Sequence, residues 1–238
     1  MMQKKIELLR KTGHIHQVAD VTPIEYREGR ADKLSAWQVK NGPLSFTVMQ
    51  GKGMDLSELS YKGINFSFLS KPGLQGRNQY DTNGQEALRS IMGGMLFTCG
   101  LENICAVYQN GETQYPMHGR IRTTPAEHTA VRTRWTSEGY EMELYGEMRE
   151  AELFGENLVL KRTITTIWPK KEIRIRDVIE NQSFREEPLM LLYHINAGYP
   201  LLDEEAEILI PARKTTPRDA DAKRQMENWS TMEAPVDN

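Results

Sequence analysis

The chain has 238 residues, of which 39% are hydrophobic and 26% charged, and it carries a formal net charge of −3. That length suits one large β domain or two small ones, with enough apolar content for a real core. The near-neutral balance, with basic residues scattered, excludes a general field for nucleic acid or an anionic membrane, and no apolar run approaches a membrane span.

The opening MMQKKIELLRK has basic residues but no apolar core or small-residue cleavage site behind them, so a cytoplasmic protein is expected. Residues 2–10 read as a short amphipathic helix. His14-x-His16 offers two metal-capable rings in a mobile N-terminal segment, a weak signal, and no metal or cofactor is expected. Asn41-Gly42-Pro43 is a strong turn, and the alternating Leu44–Val48 after it reads as a strand. Gly53–Leu59 and Ile64–Leu69 flank a second turn at Lys62-Gly63. Residues 84–91 could supply a turn or two of helix.

Gly93–Asn103 brackets apolar residues with glycines and ends on Glu102 and Asn103. Alone it reads as a buried strand with a bulge. It contains Cys99, and Cys105 follows. Their spacing fits neither a zinc knuckle nor a redox pair, so both read as reduced thiols. Tyr115–Arg122 sets His118 between a proline-fixed turn and a glycine. Arg120 and Arg122 would share one face if this stretch is a strand. An imidazole there could exchange a proton near neutrality, and the guanidinium forks could bind hydroxyls or phosphate. An exposed loop histidine with two solvated arginines is the competing reading.

Two hairpins follow. Ala130–Trp135 and Tyr140–Tyr145 flank Ser137–Gly139; Leu158–Trp168 and Glu172–Ile179 flank Pro169–Lys171. Each alternates apolar and charged residues, as strands with one buried face do. In Leu191–Pro200, His194 shares a strand face with Leu192 and Asn196. Either the polar pair is a satisfied core histidine and its neighbour, or it belongs to a site. The region 211–238 turns polar and proline-bearing, and reads as a loose tail or as a domain cut before its last strands. Regular strands, polar turns and scarce helix argue for an all-β sandwich or barrel. No P-loop, dinucleotide glycine motif, nucleophile elbow or zinc-protease helix is present.

Taken in order, these stretches resemble the aldose 1-epimerase (galactose mutarotase-like) superfamily. Asn41–Leu44 through Tyr61–Gly63 is similar to that family's opening hairpin. Gly93-Gly94 followed by His118-Gly-Arg-Ile-Arg122 resembles a segment of the hexose-phosphate mutarotase branch. Leu160–Ile164, Asp177–Asn181, Pro188 and Tyr193–Asn196 resemble the strand pair that delivers a second histidine. The Gly-Leu-Glu-Asn and His-Ile-Asn-Ala-Gly-Tyr-Pro stretches are most similar to the uncharacterised subfamily called domain of unknown function 4432.

The resemblance covers about residues 40–205 and implies an antiparallel β-supersandwich, its last strands open to question. It divides the chain into residues 1–40 (an N-terminal extension and first strands), 41–210 (the mutarotase-like sandwich) and 211–238 (polar tail or truncated end). It implies His194 as the general acid at a sugar's ring oxygen, His118 as the other cleft histidine, and Arg122 beside it. Arg120, Asn196, Glu102 and Asn103 are the further candidate sugar contacts. The family's late-strand carboxylate has no counterpart that can be identified. Glu204, Glu205 and Glu207 lie in an acidic turn, and Glu102 is an outside candidate.

The expected ligand is a sugar or sugar phosphate, without nucleic acid or membrane partners. A homodimer would cover any exposed sheet edge. The expected activity is interconversion of anomers. The alternatives are a non-catalytic sugar-binding module and another sugar isomerase or lyase using the same cleft.

Overall fold

A computed structural model describes residues 2–76 and 84–235. Among the described residues thirteen strands carry the fold, and every pairing between them is antiparallel. The larger sheet runs β1 (Ala19–Glu25), β2 (Ser35–Asn41), β3 (Leu44–Met49), β4 (Asp55–Tyr61), β6 (Leu96–Leu101), β13 (Met190–Ile195), and β5 (Ile64–Asn65) pairs with β4. The smaller sheet runs β12 (Ile173–Asn181), β11 (Asn157–Trp168), β10 (Tyr140–Ala151), β9 (Glu127–Trp135). A hairpin of β7 (Tyr108–Asn110) and β8 (Thr113–Tyr115) stands apart. Among the described residues helix is confined to α1 (Met2–Lys11), α2 (Ala220–Arg224) and short 3-10 turns. None of the described helices is long and apolar enough to cross a membrane.

The two sheets pack face to face because their strands alternate. On β10, Tyr140, Met142, Leu144 and Met148 point inward and are buried, while Glu141, Glu143, Tyr145 and Glu147 are partly exposed. They meet Leu158, Leu160 and Ile164 of β11 and, from the larger sheet, Trp37, Val39, Phe46, Val48, Leu56 and Leu96. A second, smaller cluster lies on the other face of the larger sheet. Ala36, Met49, Phe97 and Cys99 form it, with Leu192 packed against them. The larger sheet is therefore apolar on both faces in this region, which a simple two-layer sandwich does not require.

The sequence leaves the region before residue 40 vague. The structure draws β1 and β2 from it and pairs both into the larger sheet. Pro23 sits on β1 opposite Trp37, and β1 is an edge strand, where proline's missing N–H leaves no ladder bond unmade. The expected strand Ile64–Leu69 is a strand only at Ile64–Asn65. Beyond that it makes isolated bridges, Ser67 to Ala197 and Leu69 to Gly93.

One polar group crosses the sandwich. Arg162 on β11 points inward and is fully buried. Its Nε and Nη2 donate to Asp177 Oδ1 and Oδ2 at 2.9 and 2.7 Å; its Nη1 donates to Gly53 O and Asp55 Oδ1 at 2.9 and 3.0 Å. Nη2 also donates to Thr98 Oγ1 at 2.9 Å. All five guanidinium N–H groups thus have a partner. Asp55 accepts from Thr98 N and Oγ1 at 2.9 and 2.6 Å, and Asp177 accepts from Tyr193 Oη at 2.8 Å. Removing Arg162 would leave two buried carboxylates without a counter-charge. Arg162→Ala is expected to lose about 3–5 kcal/mol. A urea denaturation midpoint unchanged from the parent would refute this.

Candidate functional site

The outer face of the larger sheet at its β6–β13 end carries the candidate residues of the β13 strand. In this antiparallel pair Phe97 lies opposite His194, and Cys99 opposite Leu192, so all four share one face. β6 then runs to Gly100-Leu101, and the chain leaves the sheet for a long excursion that returns at His118. Two backbone bonds pin that return: Gly100 N donates to His118 O at 3.0 Å, and His118 N donates to Cys105 O at 2.8 Å. His118 has φ +61 and Gly119 φ +73. A side chain at Gly119 would place its Cβ 2.0 Å from Gly100 O, so only glycine lets the turn close on β6.

This close approach brings the two histidines together. The His118 and His194 ring centroids are 5.8 Å apart and the rings nearly perpendicular. Phe97 stands edge-on to both, at 5.9 Å from His118 and 6.4 Å from His194. The rings open on a shallow cleft of about 590 Å³ lined by Cys105, Met117, Leu192, Tyr193 and Arg218, with Ala106 and Ile195 at its sides. His118 Nδ1 is buried and has no partner among the described residues. Burial holds the His118 imidazole below its usual pKa, and the neighbouring His194 and Arg122 add to the effect. Cys99, behind Phe97, has its thiol pushed up to about 12 by burial, which makes it an inert thiol at neutral pH.

Arg122 lies beneath His118. It is 1% exposed, its Nε donates to Met117 O at 3.3 Å and its Nη1 to Ser90 Oγ at 3.1 Å, and its Nη2 has no partner among the described residues. Lys52, 2% exposed, donates to Gln75 O at 3.2 Å. Burial pushes its ammonium down to about 8, with help from Arg122. Arg122 is thus a buried cation near enough to both His118 and Lys52 to lower the pKa of each.

The expectation that Arg120 and Arg122 share a strand face is corrected here. Residues Ile121–Thr123 form a 3-10 turn, so the two side chains part. Arg122 goes inward, while Arg120 pairs with Glu102 and lies over the Tyr115 ring. Burial raises the Glu102 carboxyl above its usual pKa, reinforced by Glu156. Asn103 donates its amide to Ala106 O and Pro116 O at 2.9 and 3.0 Å, closing the excursion's neck. Asn196 donates to Gly94 O at 3.0 Å and to His194 O at 3.3 Å. Of the residues singled out from sequence, His118 and His194 line the cleft; Arg120, Arg122, Glu102, Asn103 and Asn196 do not. The lining residue the sequence did not flag is Arg218, which the polar C-terminal region brings to the cleft. Nothing in its local pattern marks it, because residues 211–219 have no periodicity to read.

Comparison with known proteins bears on this geometry. The chain matches the family described as Domain of unknown function (DUF4432) over residues 32–238. No curated protein matches it. A crystal structure from Klebsiella pneumoniae subsp. pneumoniae MGH 78578, assigned as an aldose 1-epimerase, is similar with a TM-score of 0.84 and 21% identity, over 91% of this chain and 57% of that one. Galactose 1-epimerase from Lactobacillus acidophilus NCFM aligns with a TM-score of 0.32 and 12% identity, over 63% of this chain and 45% of that one. The first match establishes the fold as the antiparallel β-sandwich of aldose 1-epimerase-like proteins, and the chain spans 57% of the length of that neighbour. With the family match covering most of its length, the chain belongs to the DUF4432 family.

Proposed function

We propose that the chain binds an aldose in the His118/His194 cleft and interconverts its anomers by acid/base ring opening. The observation that carries this reading is the pair of imidazoles 5.8 Å apart above one open sheet face. Ring opening needs a proton delivered to the ring oxygen while another leaves the anomeric hydroxyl, and two positioned side chains suffice. His194 delivers the first. No carboxylate lines the cleft among the described residues. The neutral His118 ring is then the group placed to take the second, through Nε2, since Nδ1 is buried. The C–O ring bond breaks and the open aldehyde rotates about its bond to the next carbon. The hydroxyl then adds back to the other face, and both protons return to their donors. Leu192 and Met117 give the sugar apolar contacts, while Arg218 at the rim offers donors to hydroxyls or to an acidic substituent.

A second reading is a sugar-binding module without turnover, favoured by the same lack of a lining carboxylate. NMR exchange spectroscopy on a panel of aldoses separates the two. Faster exchange between anomers than in buffer is expected, and His194→Ala is expected to slow it by about 10²-fold or more. Binding by calorimetry with no faster exchange would favour the module, and neither binding nor exchange would remove both.

The His118 environment adds a pH prediction. Its folded pKa lies below the ordinary 6.5. The stability gained by keeping it neutral is therefore present above pH 6.5 and is lost as pH falls through the lower, folded value. An NMR titration of the His118 ring is expected to show its midpoint below 6.5, rising in Arg122→Gln. A midpoint above that value would contradict the assigned neutral state.

A further inference from the structure

We propose that Glu127, His128 and Glu147 form a zinc-binding site on the outer face of the smaller sheet, apart from the imidazole cleft. The ligand atoms of these three residues all lie within 4.8 Å of one another. One imidazole with two carboxylates is a donor set for a borderline divalent ion; calcium and magnesium favour oxygen alone.

Strand geometry makes the grouping specific. Neighbours along a regular strand point to opposite faces, so Glu127 and His128 should diverge. They do not, because β9 bulges there. Tyr145 pairs with Ala130 and Glu147 with Glu127, which leaves His128 and Thr129 together opposite Gly146. His128 has φ +52, the left-handed conformation that glycine usually supplies at the first position of such a bulge. The extra residue turns His128 onto the face of Glu127 and Glu147. The left-handed conformation at the bulge is what brings the His128 ring to the two carboxylates.

The charges point the same way. Glu127 and Glu147 are directly paired across the ladder, an arrangement that like charges destabilise. The groups facing them are Arg149, Tyr145 and Lys161. Arg149 Nε reaches Glu127 Oε1 at 3.2 Å but also serves Asn157 and Gln182, and Lys161 is paired with Glu180. Tyr145 donates to Glu147 Oε1 at 2.6 Å. These bonds use Oε1 of each carboxylate and leave both Oε2 atoms, with the imidazole, for an ion whose fourth position water would fill.

Calorimetric titration of the full chain with zinc chloride tests this. One site is expected in the parent protein, weakened about tenfold or more in Glu147→Gln and in His128→Gly. Glycine suits the bulge conformation, so the second variant stays folded. The His14→Ala/His16→Ala pair and His194→Ala are expected to bind zinc as the parent does. Equal affinity in the parent and His128→Gly would overturn the site. So would loss of binding only in the His14/His16 or His194 variants, or no binding at all.

Discussion

The position of the candidate site depends on a charge buried on the far side of the sheet. Arg162 reaches from the smaller sheet to Asp55 on β4 and Thr98 on β6, and through Asp177 to Tyr193 on β13. Thr98 and Tyr193 are register partners and point into the sandwich. Their neighbours Phe97 and His194 are also register partners, so they must point out. A slip of one residue in β13 would bury His194 and expel Tyr193 from its bond to Asp177. The polar network inside the sandwich thus specifies which face His194 occupies outside it.

That arrangement is better understood as specification than as net stabilisation. Full burial pushes the Asp55 carboxyl up to about 6 despite the pull of Arg162 and Thr98, so desolvation is only partly offset. A well-packed apolar cluster could hold two sheets together as firmly. It would not distinguish one register from the next, because leucine tolerates many neighbours. A guanidinium with five bonds to four residues admits one placement of β4, β6, β11 and β12, and Tyr193 extends it to β13. Asn41 repeats the device nearer the edge, donating to Thr166 Oγ1 and Lys170 O across the sandwich.

Little of that network was legible in the sequence. The first half of β10 was, at Tyr140–Tyr145, and so was β11 from Leu158 to Trp168, because apolar residues on one side of a run rich in β-branched residues fit a strand. Arg162 was not: inside a strand that also carries Lys161 it reads as part of a charged face, and Asp55 is 107 residues away. His118 and His194 stood out as histidines in unusual settings, and the family resemblance placed them in one cleft. Periodicity alone could not have brought them together, since His118 lies on a turn. The arginine pair misled for the same reason. Pro116 and Gly119 curl the backbone so that residues two apart no longer share a face. Arg218 needed tertiary structure, because it arrives from a region with no strand pattern.

The proposed reaction asks different things of two chemically alike imidazoles, and their surroundings differ. His118 sits over Arg122, which is itself buried and near Lys52. Burial disfavours a positive charge on a ring, as a neighbouring cation does, and both act on His118 together. His194, on the exposed edge strand, faces the same cleft from the other side. The turn that brings His118 to β6 also sets it beside buried Arg122, so its closeness to His194 and its lowered pKa come from the same piece of backbone.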